Sequence, residues 1–319
     1  MLRSLVGSEM CIRDSDLTTT ADRVVAGPKL RCDPLTVDPG GGGINVARVV
    51  AALGGQARAF VALGGPSGMR LEAAMADQGI PLVRMQAPGD TRESMAVHDR
   101  ETGQQYRFVM PGPLWSEEQV SEALEAIAAS VPDGGIVVLS GSQPPGVSAA
   151  FATQLCAALA ARKALVIVDT SGPALEYLAK GTTPAPAVLR MDTEEAEGLA
   201  GRPLVTRRES AEFAAELVAR GAAGRVIVAR GADGSVMAGP DGLVQVSAAD
   251  VSVVSAVGAG DSFVGAFAYG LASGLSGPDS LALGAAAASA TVTTPATALC
   301  THEMVMAYLP QCGASLIED

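Results

Sequence analysis

Short apolar runs alternate along the chain with longer stretches of helical periodicity. Runs of strand length fall at 58–63, 135–139, 164–169, 187–190 and 225–229, with another at 235–238 after a tight turn. Helical patterns lie between them. One covers 44–53, just after a glycine run. A second covers 116–130, opened by Ser116 with Gln119 three residues on, and a third covers 206–220, opened by Thr206 with Glu209. Both openings are capping-box signatures. Strands alternating with helices predict βαβ units and a mostly parallel sheet, with ligands beyond the carboxyl ends of the strands. Two segments break the rhythm. Residues 17–38 are polar with alternating Val and Leu. Residues 94–111 alternate, turn at 101–104 and return, which is a hairpin signal. Antiparallel ribbons inserted in a parallel α/β domain predict a lid over the site, a clasp between two copies, or both. The uncharged run 280–301 is mostly Ala and Thr, so it reads as a helix packed inside the domain rather than a membrane span.

Composition narrows the picture. The 319 residues are 48% hydrophobic but only 3% aromatic, so a sizeable core must be built from Ala, Val and Leu. A net charge of -12 excludes nucleic acid or an anionic membrane as the main partner. A phosphorylated substrate must then be captured by a few local basic residues. Five scattered cysteines with no CxxC pair read as reduced thiols in a cytoplasmic protein. His98 and His302 lie too far apart in sequence to suggest a His-based metal site or triad. Residues 1–15 (MLRSLVGSEMCIRDS) carry neither a signal-peptide apolar core nor a clean strand pattern. They resemble read-through seen in assembled environmental sequences and are expected to be a non-native leader, with one domain over 16–319.

The run SAVGAGDS (255–262) carries the strongest chemistry. Backbone amides of Gly258, Ala259 and Gly260 can converge on an anion, and a helix starting there adds its positive end. Asp261 at the mouth of such a hole suits a base that takes a proton from a hydroxyl while a phosphoryl group is transferred. A second run, PGGGGINVAR (39–48), lets a ligand approach backbone closely at Gly41 and Gly42, and Asn45 offers a donor and an acceptor to sugar hydroxyls. Three turns stay open between a functional and a plain reading. Gly141-Ser142 is a substrate contact or an ordinary βα loop. Asp192 and Glu195 hold Mg²⁺ or form a helix cap. The turn from Ala229 through Gly231 to Gly234 carries a nucleotide on its backbone or is a simple hairpin.

Taken in order, these motifs resemble the ribokinase-like (PfkB) sugar kinase family, over roughly 16–309. Within it the chain is most similar to the minor type of bacterial 6-phosphofructokinase, on the runs GPKLRC (27–32), DPGGGGINVAR (38–48), QYRFVMPG (105–112) and LCTH (299–302). The resemblance implies a three-layer α/β/α sandwich with a mostly parallel central sheet and a small β lid at about 17–38 and 92–112. It implies a cytoplasmic homodimer joined through that lid, using ATP with Mg²⁺ to phosphorylate fructose 6-phosphate. Asp261 would be the base for the C1 hydroxyl, with Gly258, Ala259 and Gly260 as the anion hole. Asp16, Gly41, Gly42, Asn45 and Ser142 would face the sugar. Arg92, and Lys29 reaching across the dimer, would neutralise its 6-phosphate. Arg190, Asp192, Ala229, Gly231, Gly234 and Thr294 would line the nucleotide site, and Glu195 with Asp192 would organise Mg²⁺, directly or through water. A base of near-normal pKa suffices, because a loose phosphoryl-transfer state demands little proton abstraction until late.

The chain departs from the family pattern at Arg190, Asp192, Ala229 and Ala256, where Lys, Asn and hydroxyl residues are usual. The family's first strand is absent from its usual place, which Asp16 would follow directly. Two rival readings follow. One keeps the fold and changes the sugar, to tagatose 6-phosphate or fructose 1-phosphate, although Gly42 stands where those relatives usually carry Lys. The other is a catalytically impaired sugar-phosphate sensor. A dehydrogenase would want GxGxxG after the first strand, which is not found here.

Overall fold

The computed structural model describes residues 5–8, 15–295 and 297–318, with side chains from residue 17 onward. Seven parallel strands form the body of the central sheet: β1 (Leu5–Ser8), β4 (Ala57–Leu63), β5 (Leu82–Gln86), β8 (Ile136–Ser140), β9 (Leu165–Asp169), β10 (Val188–Asp192) and β11 (Arg225–Ala229). Three antiparallel strands, β12 (Ser235–Gly239), β13 (Gly242–Val246) and β14 (Ala314–Leu316), extend one edge. The order across the sheet is β14-β13-β12-β11-β10-β9-β8-β1-β4-β5. A second sheet, ordered β3-β2-β6-β7, is built from β2 (Ser15–Ala21), β3 (Thr36–Pro39), β6 (Glu93–Asp99) and β7 (Gln105–Val109). It gathers both irregular segments into one small sheet, the part of the fold expected to serve as lid, clasp or both.

Helices cover both faces of the central sheet. On one side lie α1 (Gly42–Ala52), α2 (Gly65–Asp77), α8 (Ala259–Ala272), α9 (Gly277–Thr291) and α10 (His302–Tyr308). On the other lie α3 (Glu117–Ser130), α4 (Phe151–Leu159), α5 (Gly172–Ala179), α6 (Thr193–Ala200) and α7 (Arg207–Arg220). The strands feed both cores by alternation: Ile136 and Val138 enter the first, Val137 and Leu139 the second. Burial on both faces explains why these strands read as continuous apolar runs. The expected three-layer sandwich is what forms. Scarce aromatics are offset by close approach. A Cβ on Gly284 of α9 would stand 3.0 Å from the Phe263 carbonyl oxygen of α8.

Two expectations need correction. Leu5–Ser8 forms β1, parallel to and between β4 and β8, with Leu5 opposite Ala57 and Ile136. The place left without a strand is filled, because four residues suffice for a strand paired on both sides, yet are too few to show a pattern. The uncharged run 280–301 is helical only to Thr291. The hydroxyls of Thr293 and Thr294 bond the carbonyls of Ala290 (2.7 Å) and Thr291 (2.8 Å), and Pro295 follows. Such side-chain bonds compete with helix propagation. Among the described residues no helix is long and apolar enough to cross a membrane. Cys32, Cys156, Cys300 and Cys312 are free thiols, and Cys11 lies outside the described residues.

Candidate active site

Helix α8 opens at the GAGD run. Gly258 is its N-cap, at φ 76, a left-handed conformation that glycine adopts without strain. A side chain there would also come within 2.7 Å of Leu299. Intrahelical bonding begins with Ser262 N–H to Gly258 O at 2.8 Å, so the preceding amides belong to the unsatisfied first turn. The Ala259 amide is loosely engaged, 3.4 Å from Ala256 O. Negative charge is favoured at such a helix end.

Asp261 sits in that first turn. Its Oδ2 accepts a hydrogen bond from Asn45 Nδ2 at 2.9 Å, and Asn45 Oδ1 accepts one from Arg48 Nη1 at 3.1 Å. Asn45 is expected to face sugar hydroxyls. Its oxygen and one N–H are engaged in this way, so it also positions the Asp261 carboxylate. Gly42 makes the approach possible: a Cβ there would lie 2.1 Å from Ser140 Oγ and 2.9 Å from Asp261 Oδ1. Burial pushes the Asp261 carboxyl above the ordinary range. The Asn45 donor opposes this, Asp169 adds to it, and Arg190 and Ser140 oppose it further. The near-normal pKa expected from phosphoryl-transfer chemistry is therefore corrected upward, because helix packing removes water from the carboxylate.

Arg190, in β10, donates from Nη1 to Asp169 Oδ1 at 3.0 Å, at the end of β9. Its guanidinium lies against the α8 turn, 3.3 Å from where a Gly260 Cβ would be. Burial works against its charge, but Asp169, Glu195 and Asp192 around it hold its pKa above the usual value. A fixed positive charge thus stands beside the first turn of α8. Burial also pushes Glu195 up; the Asp192 N–H pulls it down, and the Asp192 and Asp169 carboxylates add to the rise.

The helix-cap reading of Asp192 and Glu195 is realised. Asp192 Oδ1 accepts from Glu195 N–H and Glu195 Oε2 accepts from Asp192 N–H, both at 2.9 Å. One oxygen of each carboxylate remains. Among the described residues no group of three or more His, Cys, Asp or Glu is placed to hold a metal alone. The grouping of the Asp192, Glu195 and Asp169 carboxylates, which adds to the burial-driven rise at Glu195, does fit a hydrated Mg²⁺ carried by nucleotide phosphates, the usual habit of that ion.

A cleft of about 580 Å³ runs from Arg190 and Gly260 past Gly231 and Gly234 to Val251 and Ala288. Asp192, Ala229 and Ala256 also line it. The turn between β11 and β12 is a simple hairpin and a wall of the cleft at once. Thr294 is not on that lining: its hydroxyl bonds the carbonyls of Thr291 and Ala298, closing the end of α9. Ser289 and Val292 stand there instead.

The remaining expected residues lie outside that cleft lining. Gly41 is the N-cap of α1 at φ 105. Ser142 is exposed just after β8. Arg92 is half-buried at the foot of β6, beside Pro113, Trp115 and Pro144. Asp16 pairs with Asp38 and Ser94 in the lid sheet, and its side chain lies outside those described. Lys29 is exposed between β2 and β3, and among the described residues no hydrogen bond or ion pair ties it to the cleft. Asp169 and Ser140 were not anticipated. Their signal was a polar residue closing an apolar parallel strand, at the end where such sheets bind ligands.

The family model for pfkB family carbohydrate kinases matches residues 6–304. The chain belongs to that family. Among curated relatives, it is 38% identical over 298 residues to the ATP-dependent 6-phosphofructokinase isozyme 2 of Escherichia coli, covering 92% of this chain and 95% of that one. It is 37% identical over 290 residues to the Mycobacterium tuberculosis protein of the same name, covering 91% and 84%. The E. coli phosphofructokinase-2 solved in complex with fructose-6-phosphate superposes with a TM-score of 0.87 at 35% identity, over 97% of this chain and 99% of that one. As a pfkB kinase the chain is a phosphotransferase acting on a sugar-type acceptor.

Proposed function

We propose that this pfkB kinase transfers the γ-phosphoryl group of ATP to the C1 hydroxyl of fructose 6-phosphate. The observation that carries the reading is Asp261: a carboxylate steered by Asn45, at a helix N-terminus, beside the fixed charge of Arg190. Asp261 takes the hydroxyl proton as the C1 oxygen bonds to phosphorus and the bond to the ADP oxygen breaks. The first-turn amides of α8 and Arg190 offset the charge on the transferring group, the kind of preorganised stabilisation worth about 3 kcal/mol per donor. The open oxygens of Asp192 and Glu195 would hold Mg²⁺ through water; the ion supplies charge neutralisation on the phosphates. Arg92 at the lid foot serves the 6-phosphate. The similarity to two 6-phosphofructokinase isozyme 2 proteins supports this choice of acceptor.

Exposed Phe108 and Val109 of β7, with Leu30 and Leu35 between β2 and β3, give the lid an apolar surface suited to pairing with a second copy. Lys29 would then reach the partner's site. Light scattering behind size-exclusion measures this, and a monomer at all concentrations rules it out. For the activity, ADP release is followed with purified protein, Mg-ATP and fructose 6-phosphate, tagatose 6-phosphate or fructose 1-phosphate. Fructose 6-phosphate should give the highest kcat/KM. Turnover no greater than that of Asp261→Ala refutes a kinase, and preference for another sugar refutes the acceptor.

A further inference from the structure

Ser140 closes β8 beside β1 and β9 at the middle of the central sheet. It is 1% exposed, and its hydroxyl is buried without a hydrogen-bond partner among the described residues. A buried hydroxyl left unpaired loses its hydration with nothing in return, so such groups are rare and call for a reason. Its surroundings supply one. The hydroxyl and Asp261 Oδ1 crowd the same point, the place where a side chain on Gly42 would begin, at 2.1 and 2.9 Å. Oδ1 is the oxygen that Asn45 does not hold; Asn45 bonds Oδ2. Glycine at 42 leaves hydroxyl and carboxylate in their present places, since a Cβ there would press on both.

We infer that Ser140 is a positioning residue for Asp261, donating its hydroxyl to Oδ1 while Asn45 donates to Oδ2. The carboxylate is then gripped at both oxygens, each of which keeps a second lone pair for the acceptor hydroxyl. Its rotation is fixed before substrate arrives. The grip also favours the charged form, in the same sense as the influence of Ser140 on Asp261 noted above. A serine ending an apolar strand otherwise serves only packing, and the two roles separate in experiment.

The inference rests on Asp261 acting as the base, so it needs one readout that depends on turnover and one that does not. In Ser140→Ala the donor is gone. The acid limb of the pH profile of kcat/KM should move to higher pH, and kcat should fall about tenfold, with the nucleotide KM unchanged. Ser140→Thr keeps the hydroxyl and should keep the wild-type limb. Without reference to turnover, urea unfolding across pH 4–9 compares Ser140→Ala in wild-type and Asp261→Asn backgrounds. The loss of stability from Ser140→Ala should grow as Asp261 ionises and should be flat with pH when Asp261 is Asn. An unmoved acid limb, or a stability loss that is equally flat in both backgrounds, overturns the role and leaves packing. Wild-type protein without turnover would instead refute the kinase reading, and the unfolding comparison would still decide on Ser140.

Discussion

Replacing Arg190 by Ala removes a cation from the junction of β9, β10 and α8. The guanidinium sits 3.0 Å from Asp169, with side chains 15% and 13% exposed. At an effective dielectric of about 20, the attraction at that distance is about 5 kcal/mol. Both groups have lost water to reach it, so the pair's net worth is smaller. Removal of one partner strands Asp169 near Asp261 and Glu195, and cases of this kind cost about 3–5 kcal/mol. A single bond, with Arg190 Nε unpartnered, places this pair at the lower end, about 3 kcal/mol. The chain has one tryptophan, Trp115, packed at 6% exposure, which gives a fluorescence signal for urea unfolding. Arg190→Ala should unfold about 3 kcal/mol more easily, and adding Asp169→Asn should recover most of that deficit. Its kcat should fall about a thousandfold, as expected for loss of a transition-state arginine. A single variant within about 0.5 kcal/mol of wild type, or a double variant no better than the single, refutes the electrostatic account.

Asp261→Asn should abolish most turnover yet raise stability at neutral pH. The folded carboxyl titrates above its unfolded value, so the folded state holds the extra proton and stability falls as pH rises through that window. Asn escapes this loss; Tm at pH 5 and pH 8 should therefore differ less in the variant than in wild type. Asp192→Ala removes the side-chain cap of α6, at about 1 kcal/mol in chemical unfolding, and should raise the Mg²⁺ concentration needed for half-maximal turnover. Phe267 is 1% exposed and stacks 6.3 Å from Phe263; Phe267→Ala should cost about 3–5 kcal/mol by urea titration, with KM for sugar unchanged.

Much of this layout is written locally. Ser116 with Gln119 and Thr206 with Glu209 form both reciprocal caps and start α3 and α7 where expected. The run 225–229 coincides with β11. These elements depend on neighbours in sequence. The misses depend on neighbours in space. Leu5–Ser8 becomes a strand because β4 and β8 offer it edges on both sides. Asn45 gains a holding role because α8 brings Asp261 to it, 216 residues away. Asp169 gains its role only when β10 sets Arg190 alongside. Asp192 and Glu195 were undecided for a different cause: one spacing satisfies both a helix cap and a pair of ion-facing oxygens.

Strand β3 passes into helix α1 across Gly40 and Gly41 alone, and Asp38 on that strand is tied to Thr297 beyond α9 by a 2.8 Å bond. The lid therefore has little slack where it meets the body. A tilt of its sheet would reach α1, which carries Asn45, through that short link. A sugar able to pull on the cover would move the Asp261 carboxylate with it, whereas a water molecule would have no purchase on it. Thrift with ATP, in this protein, would be a property of chain connectivity before it is one of chemistry.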